Sequence, residues 1–357
     1  MKKIVIACDS YKGCLSSSEV SDAVAEGVSE AYPDCEVVRL AVADGGEGTV
    51  EALVDTLGGH LEWAEVSDPL GRPVRAAYGV AGDLAIIESA AACGLTLLSK
   101  DERNPLIATT KGLGELILAA VDKGCRRFLI GLGGSATNDG GMGMIGAEGF
   151  LEKTRGLQFT IACDVDTPYI GKNGASRVFG PQKGASVQDV EVLEERLRGY
   201  ALKISEDTGI DVSDMPGAGA AGGLGGAFRA YLGAELKRGV DLVLDQIGFD
   251  SVIAGADLVI TGEGCSDYQT LKGKTAAGVL ERAERLNIPV ALVSGAVRDE
   301  KMLRDRGFRI VEAVTPPAMS LEEAMRPETA KHLVAVATRN ILHQFCIYYR
   351  VLHMRNH

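Results

Sequence analysis

The feature that most limits how this chain can fold is the order of patterns in its first fifty residues. Lys3 to Ala7 (KIVIA) is a short, unbroken apolar run, as in a strand buried on both faces of a parallel sheet. A Ser-rich turn follows. From Ser18-Glu19 onward, Val20, Ala23, Val24, Gly27 and Val28 fall on one face of a helix. Val37 to Val42 (VVRLAV) reads as a second strand, ending in Asp44-Gly45-Gly46-Glu47-Gly48, with a new helix from about Thr49. A strand–helix–strand–turn–helix opening assigns the chain to the α/β class.

The pattern changes after Gly58. Leu61–Val66, Val74–Val80 and Leu84–Glu88 read as strands with turns but no helices between them, so this stretch predicts an antiparallel or mixed sheet. A helix is expected near 110–123, strands at 127–132 and 159–163, and a charged helix at 187–206. The α/β rhythm returns with strands at 258–261, 290–293 and 309–314 and helices at 275–286 and 328–342. The economical architecture has two domains. A Rossmann/flavodoxin-like parallel-sheet domain is built from residues 1–57 and 256–357, and a second, mixed α/β domain, 58–255, is inserted in the chain.

Composition excludes several function classes. The 357 residues carry a formal net charge of −12, the wrong balance for nucleic acid or an anionic membrane. Aromatics are 5%, too few for a base-stacking platform. The eight Cys form no C-x-x-C pair, and no apolar run reaches the ~18 residues of a membrane span. Free thiols and a strand starting directly after Met1 predict a cytoplasmic protein. None of the five His lies in a glycine loop, which argues against a His-based hydrolase or a zinc enzyme.

Five loops follow or flank strands, where open α/β sheets bind ligands. Asp9-Ser10-Tyr11-Lys12-Gly13 gathers a carboxylate, a hydroxyl and an ammonium; a capping turn with a solvated Lys is the plainer alternative. Asp44 and Glu47 stand among three glycines at a helix start, as suits phosphate and Mg²⁺, although acids also favour helix N-termini without any ligand. Gly131 to Gly141 (GLGGSATNDGG) contains neither G-x-x-x-x-G-K-S/T nor a framed G-x-G-x-x-G, yet it offers free backbone donors, hydroxyls and one acid. Asp164 ends a strand and Lys183 sits in the turn FGPQKG; a base and a phosphate-neutralising cation are the functional readings, a buried cap and a surface Lys the structural ones. Glu263 and Asp267 end another strand, with Lys272 and Lys274 close behind. Carboxylates, lysines and backbone donors are the groups that phosphoryl transfer needs.

Taken in order, ACDSYKG, ADGGEGT, GLGGSATNDGG, ACDVD with Pro168, VFGPQKGA, GAGAAGGLGG, and TGEG with Asp267, Gln269-Thr270 and Gly273-Lys274 resemble the bacterial glycerate kinase family, type 1, across about residues 3–342. The resemblance implies phosphorylation of D-glycerate by ATP and Mg²⁺ at the 2-hydroxyl, on a two-domain α/β fold with the active site in the cleft between the domains. The expected cofactor-binding residues are Gly133, Gly134, Ser135, Asn138, Asp139, Gly222 and Gly223. Asp44, Glu47 and Asp267 are the metal candidates, Lys12 and Lys183 the charge-balancing pair, and Asp9 or Asp164 the base. The chain departs from the family pattern at Cys265, where Arg is usual, at Thr167 and Ala276, in a short segment between Gly149 and Phe159, and in its tail. The rival readings are a kinase for another small hydroxy acid, a 3-phosphoglycerate-forming enzyme, and an impaired nucleotide-binding homologue. Glycerate and ATP are the expected small-molecule partners, and a homodimer is one expected assembly.

Overall fold

The computed structural model describes residues 1–46, 48–271 and 273–355, with side chains as far as Ile347. Its strands are β1 (Lys3–Cys8), β2 (Glu36–Ala41), β3 (His60–Ser67), β4 (Pro73–Ala81), β5 (Leu84–Glu88), β6 (Arg127–Gly131), β7 (Gln158–Ala162), β8 (Glu235–Lys237), β9 (Leu258–Ser266), β10 (Val290–Val297) and β11 (Ile310–Ala313). The chain divides into two compact units, Met1–Asp44 with Val240–His357, and Gly45–Gly239.

That division differs from the boundaries expected at 57/58 and 255/256. The helix Thr49–Leu57 buries Val50 and Leu53 and packs on β4 and β5, so it belongs to the second unit. Gly79 of β4 makes room for it; a Cβ there would lie 2.4 Å from Val54 Cγ2. At the other junction, Asp241, Asp245 and Asp250 all bind Arg282, which ties the helices Gly239–Gln246 and Phe249–Ile253 to the first unit. Periodicity shows that a helix has an apolar face, not which sheet covers it.

The first unit is a five-stranded parallel sheet in the order β11-β10-β9-β1-β2. Counted within the unit, this is the 2-1-3-4-5 order of flavodoxin-like folds, which changes direction between β1 and β9. β1 is sealed on both faces, with Ile4 to Cys8 fully buried. Burying each such aliphatic side chain contributes roughly 1.5–3 kcal/mol. The helix Ser17–Ala31 starts at a capping box in which Ser16 Oγ accepts from Glu19 N–H (3.2 Å) and Glu19 Oε2 accepts from Ser16 N–H (3.0 Å). Val20, Ala23, Val24, Gly27 and Val28 are its buried face, as the spacing predicts. The last helix, Pro327–Arg355, crosses it closely at Gly27, where a Cβ would lie 2.5 Å from Ala335 O. The tail from Phe345 extends this helix to Arg355.

The second unit is a six-stranded mixed sheet, β3-β4-β5-β6-β7-β8. β3, β4 and β5 are antiparallel neighbours, and β5 to β8 run parallel. The segment that reads as short for the family, between Gly149 and Phe159, holds the four-residue helix Phe150–Lys153 before β7. The glycine stretch 217–226 is only half loop. From Ala220 it enters the helix Ala220–Leu232, broken by left-handed Ala221, Gly222 and Gly223. Among the described residues no helix is long and apolar enough to cross a membrane.

Candidate active site

In the first unit, the candidate side chains stand where the β1 and β9 ends meet. Asp9 follows β1, and its N–H donates to Gly262 O of β9 (2.9 Å). Its carboxylate accepts from the Thr275 hydroxyl (2.6 Å) at the start of the helix Thr275–Arg285 and from Ser10 N–H (2.7 Å). Burial, reinforced by the nearby Asp44 carboxylate, pushes Asp9 up from 3.8 to about 6 against the pull of those bonds and of Lys12. Glu263, also buried, accepts from the Ser266 (3.0 Å) and Thr270 hydroxyls, and Lys274 Nζ lies 3.6 Å from it. Asp9, Lys12, Asp44, Glu263, Cys265 and Lys274 all line one cavity of ≈ 450 Å³.

Asp267 stands apart from that wall. Its Oδ1 accepts from Gln269 N–H (2.8 Å) and its own N–H donates to Thr270 Oγ1 (3.0 Å), a side-chain turn that braces the loop. Glu47 lies outside the described residues. Among the described residues no group of three or more His, Cys, Asp or Glu is placed to hold a metal ion.

In the second unit, two glycine loops that are distant in sequence pack together. A Cβ on Gly131 would lie 2.4 Å from Gly45 O, and one on Gly133 3.6 Å from Gly46 Cα. Gly133 and Gly134 are exposed, whereas Ser135, Thr137 and Asn138 are buried beneath them. Ser135 Oγ accepts from Thr137 N–H (3.1 Å), and Asn138 Nδ2 donates to Ser176 Oγ (2.9 Å). Asn138 Oδ1 and Ser89 Oγ are buried with no hydrogen-bond partner among the described residues, a cost of about 1–3 kcal/mol each. Lys183 is fully inside, donating to Thr137 O (2.6 Å). Burial lowers it from 10.5 to about 8, with the Cys93 thiol and the Asp139 carboxylate pulling the other way.

Three of the expected cofactor residues carry structural duties. Asp139 accepts from Thr110 N–H (2.8 Å) and hydroxyl (2.9 Å), Thr109 hydroxyl (3.3 Å), Gly141 N–H (3.1 Å) and Gly143 N–H (3.2 Å). Asp139→Ala therefore strands several donors, and it is expected to cost about 3 kcal/mol or more in urea denaturation. An acid that served only to touch a ligand would leave the unfolding midpoint unchanged. Gly222 and Gly223 are buried: Cβ atoms there would lie 2.1 Å from Thr137 O and 2.6 Å from Gly140 Cα. They let the broken helix close against the 137–141 loop. Asp164 is exposed, and its Oδ1 accepts from Gly239 N–H (2.8 Å).

The sequence pointed to neither Glu88 nor Ser89, and to Lys274 only as a basic residue behind the Glu263 loop. Glu88 ends the apolar run LAIIE, and burial foremost pushes it up to about 7 while Val50 N–H donates to it (3.1 Å). An acid closing a continuous apolar strand was the available signal.

The chain matches the Glycerate kinase family over residues 4–156 and 147–346, two stretches that overlap near the shortened segment. It is 44% identical to a glycerate kinase of Bacillus subtilis (strain 168), covering 90% of this chain and 92% of that one. It is 42% identical to a glycerate 2-kinase of Escherichia coli (strain K12), covering 95% and 97%. The crystal structure of a protein described as glycerate kinase 2 from Salmonella typhimurium LT2 superposes with a TM-score of 0.87 at 42% identity, over 98% of this chain and 99% of that one. With near-complete coverage in sequence and in fold, the chain belongs to the glycerate kinase family and is a kinase.

Proposed function

We propose that the protein transfers the γ-phosphoryl group of ATP directly to the 2-hydroxyl of D-glycerate, releasing 2-phosphoglycerate and ADP. The observation that carries this reading is Asp9, a buried carboxylate at a strand end on a cavity wall, with its proton affinity raised toward neutrality. Such a group suits the acceptance of a hydroxyl proton as the phosphoryl group arrives, a contribution of about 10²–10⁴ in rate. Lys12 and Lys274 supply cationic charge on the same wall. They stand where the family's usual guanidinium is replaced by the neutral side chain of Cys265.

Mg²⁺ fits the sparse carboxylate set. Asp44 raises Asp9, so two acids bear on one wall, and Mg²⁺ characteristically takes one or two carboxylates with phosphate oxygens and water. Asp44 would hold the cation, which supplies neutralisation of phosphate charge. In the second unit, exposed Gly133 and Gly134 present backbone to an anionic substrate group. Lys183 places a buried positive charge under that loop and holds it through Thr137 O.

The test is ADP release with purified protein, Mg-ATP and D-glycerate, with the product identified by NMR. Formation of 2-phosphoglycerate is expected. Formation of 3-phosphoglycerate corrects the acceptor hydroxyl, and absence of turnover with both substrates saturating refutes the reading.

A further inference from the structure

The family motifs account for carboxylates, lysines and glycine loops, but not for the apolar lining of the ≈ 450 Å³ cavity in the first unit. It is lined by the charged groups of Asp9, Lys12, Glu263 and Lys274 and by an apolar wall that includes Ala296, Val314, Met319, Leu321 and Met325. We propose that this apolar wall is the subsite for the nucleoside half of the phosphoryl donor, with the donor's phosphates directed toward Lys12 and Lys274. The inference rests on the kinase reading above and adds to it where the donor's base and sugar go.

Three observations support it. First, the cavity opens at the C-terminal ends of β1, β9 and β10, at the change of direction between β1 and β9, where flavodoxin-like sheets bind nucleotide-type ligands. Second, a three-carbon hydroxy acid is polar throughout and fills little of such a volume. A nucleotide has one charged end and one broad apolar face, and the cavity lining offers both charged and apolar groups. Third, Leu321 is 69% exposed and Met325 37%, at either end of the helix Leu321–Ala324. Apolar side chains left bare around a cavity await a cover, and Met adapts to a flat ring. The glycine stretch 217–226 does not compete for this role, because Gly222 and Gly223 are buried against their own unit.

Cys265 provides a built-in reporter, since it lines the cavity and pairs across the sheet with Ala296. The full chain would be alkylated with iodoacetamide and the rate at each Cys read by peptide mass spectrometry. Separate samples would contain ADP, adenosine, pyrophosphate or D-glycerate, and ADP affinity would be measured by calorimetry. Protection of Cys265 by at least fivefold with adenosine as well as with ADP is the expected result, because adenosine carries no phosphate and can be held only by the apolar lining. Ala296→Phe, which narrows the wall, should weaken ADP at least tenfold and leave the KM for D-glycerate within twofold. Protection by D-glycerate in place of ADP overturns the inference and makes the cavity the acceptor site. ADP binding without protection also overturns it, while the kinase reading stands. Absence of any ADP binding removes the proposed ATP-dependent reaction and this inference together.

Discussion

Asp9→Asn is expected to abolish at least 99% of kcat/KM while raising the thermal midpoint by about 2–6 °C at pH 7. The two effects share one cause. Burial and the neighbouring Asp44 hold the Asp9 carboxyl at about 6, against 3.8 for an ordinary Asp, so ionising it inside the fold opposes stability. At 1.36 kcal/mol per unit, the penalty at neutral pH is on the order of 3 kcal/mol. Because the folded-state value is raised, the protonated form is favoured by folding. Below about pH 4 Asp9 is protonated in both states, and the substitution changes little. Between about pH 4 and 6 the folded chain holds the extra proton, so wild-type stability falls as pH rises, and above 6 the full difference remains. Thermal scans of both proteins from pH 4 to 8, without metal, would show the gap opening across that window. The Asn amide still accepts from the Thr275 hydroxyl, so geometry is retained. A variant that loses activity and stability together would instead make Asp9 a structural cap.

Lys183→Met should likewise stabilise while impairing function. The ammonium is fully enclosed, with Thr137 O as its recorded acceptor among the described residues, and its affinity for a proton is lowered from 10.5 to about 8. A Met of similar length removes the buried charge and forfeits one hydrogen bond, for a net gain of about 1–2 kcal/mol at pH 7. Here the folded-state value is depressed. Below pH 8 both states carry the charge, and the penalty is complete. From 8 to 10.5 the unfolded chain binds more protons, so wild-type stability rises with pH and the advantage of Met disappears. Without the charge beneath Gly133 and Gly134, the KM of the anionic substrate held there should rise about 10–100-fold. Varying ATP and D-glycerate in turn shows which substrate that is. An unchanged KM for both would leave Lys183 as packing alone.

Both residues were visible in the sequence as members of strand-end loops, and their burial was not. Lys183 in FGPQKG reads equally well as a surface cation, because the groups around it, Cys93, Thr137 and Asp139, are brought in from elsewhere in the chain. Asp139 stood in the glycine loop 131–141 and looked like a ligand contact. Its actual partners, Thr109 and Thr110, lie about thirty residues earlier and share no pattern with it. Gly222 and Gly223 looked like backbone offered to phosphate; close approach to Thr137 and Gly140 uses up that freedom. The apolar wall of the cavity carries no motif at all, since Val314 to Met325 is a run of turns and one short helix.

The sequence by itself determined the α/β class, the buried strands of the first sheet, the mixed character of the second and the family. Each of these is written in local order: apolar runs of strand length, helical spacing, and seven short motifs in a row. Tertiary structure alone decided which unit owns the helix Thr49–Leu57, which acids face a cavity and which brace a loop, and where charge is buried. Those properties depend on what covers a side chain. The covering groups come from sequence positions tens to hundreds of residues away, joined only when sheet and helices close over one another.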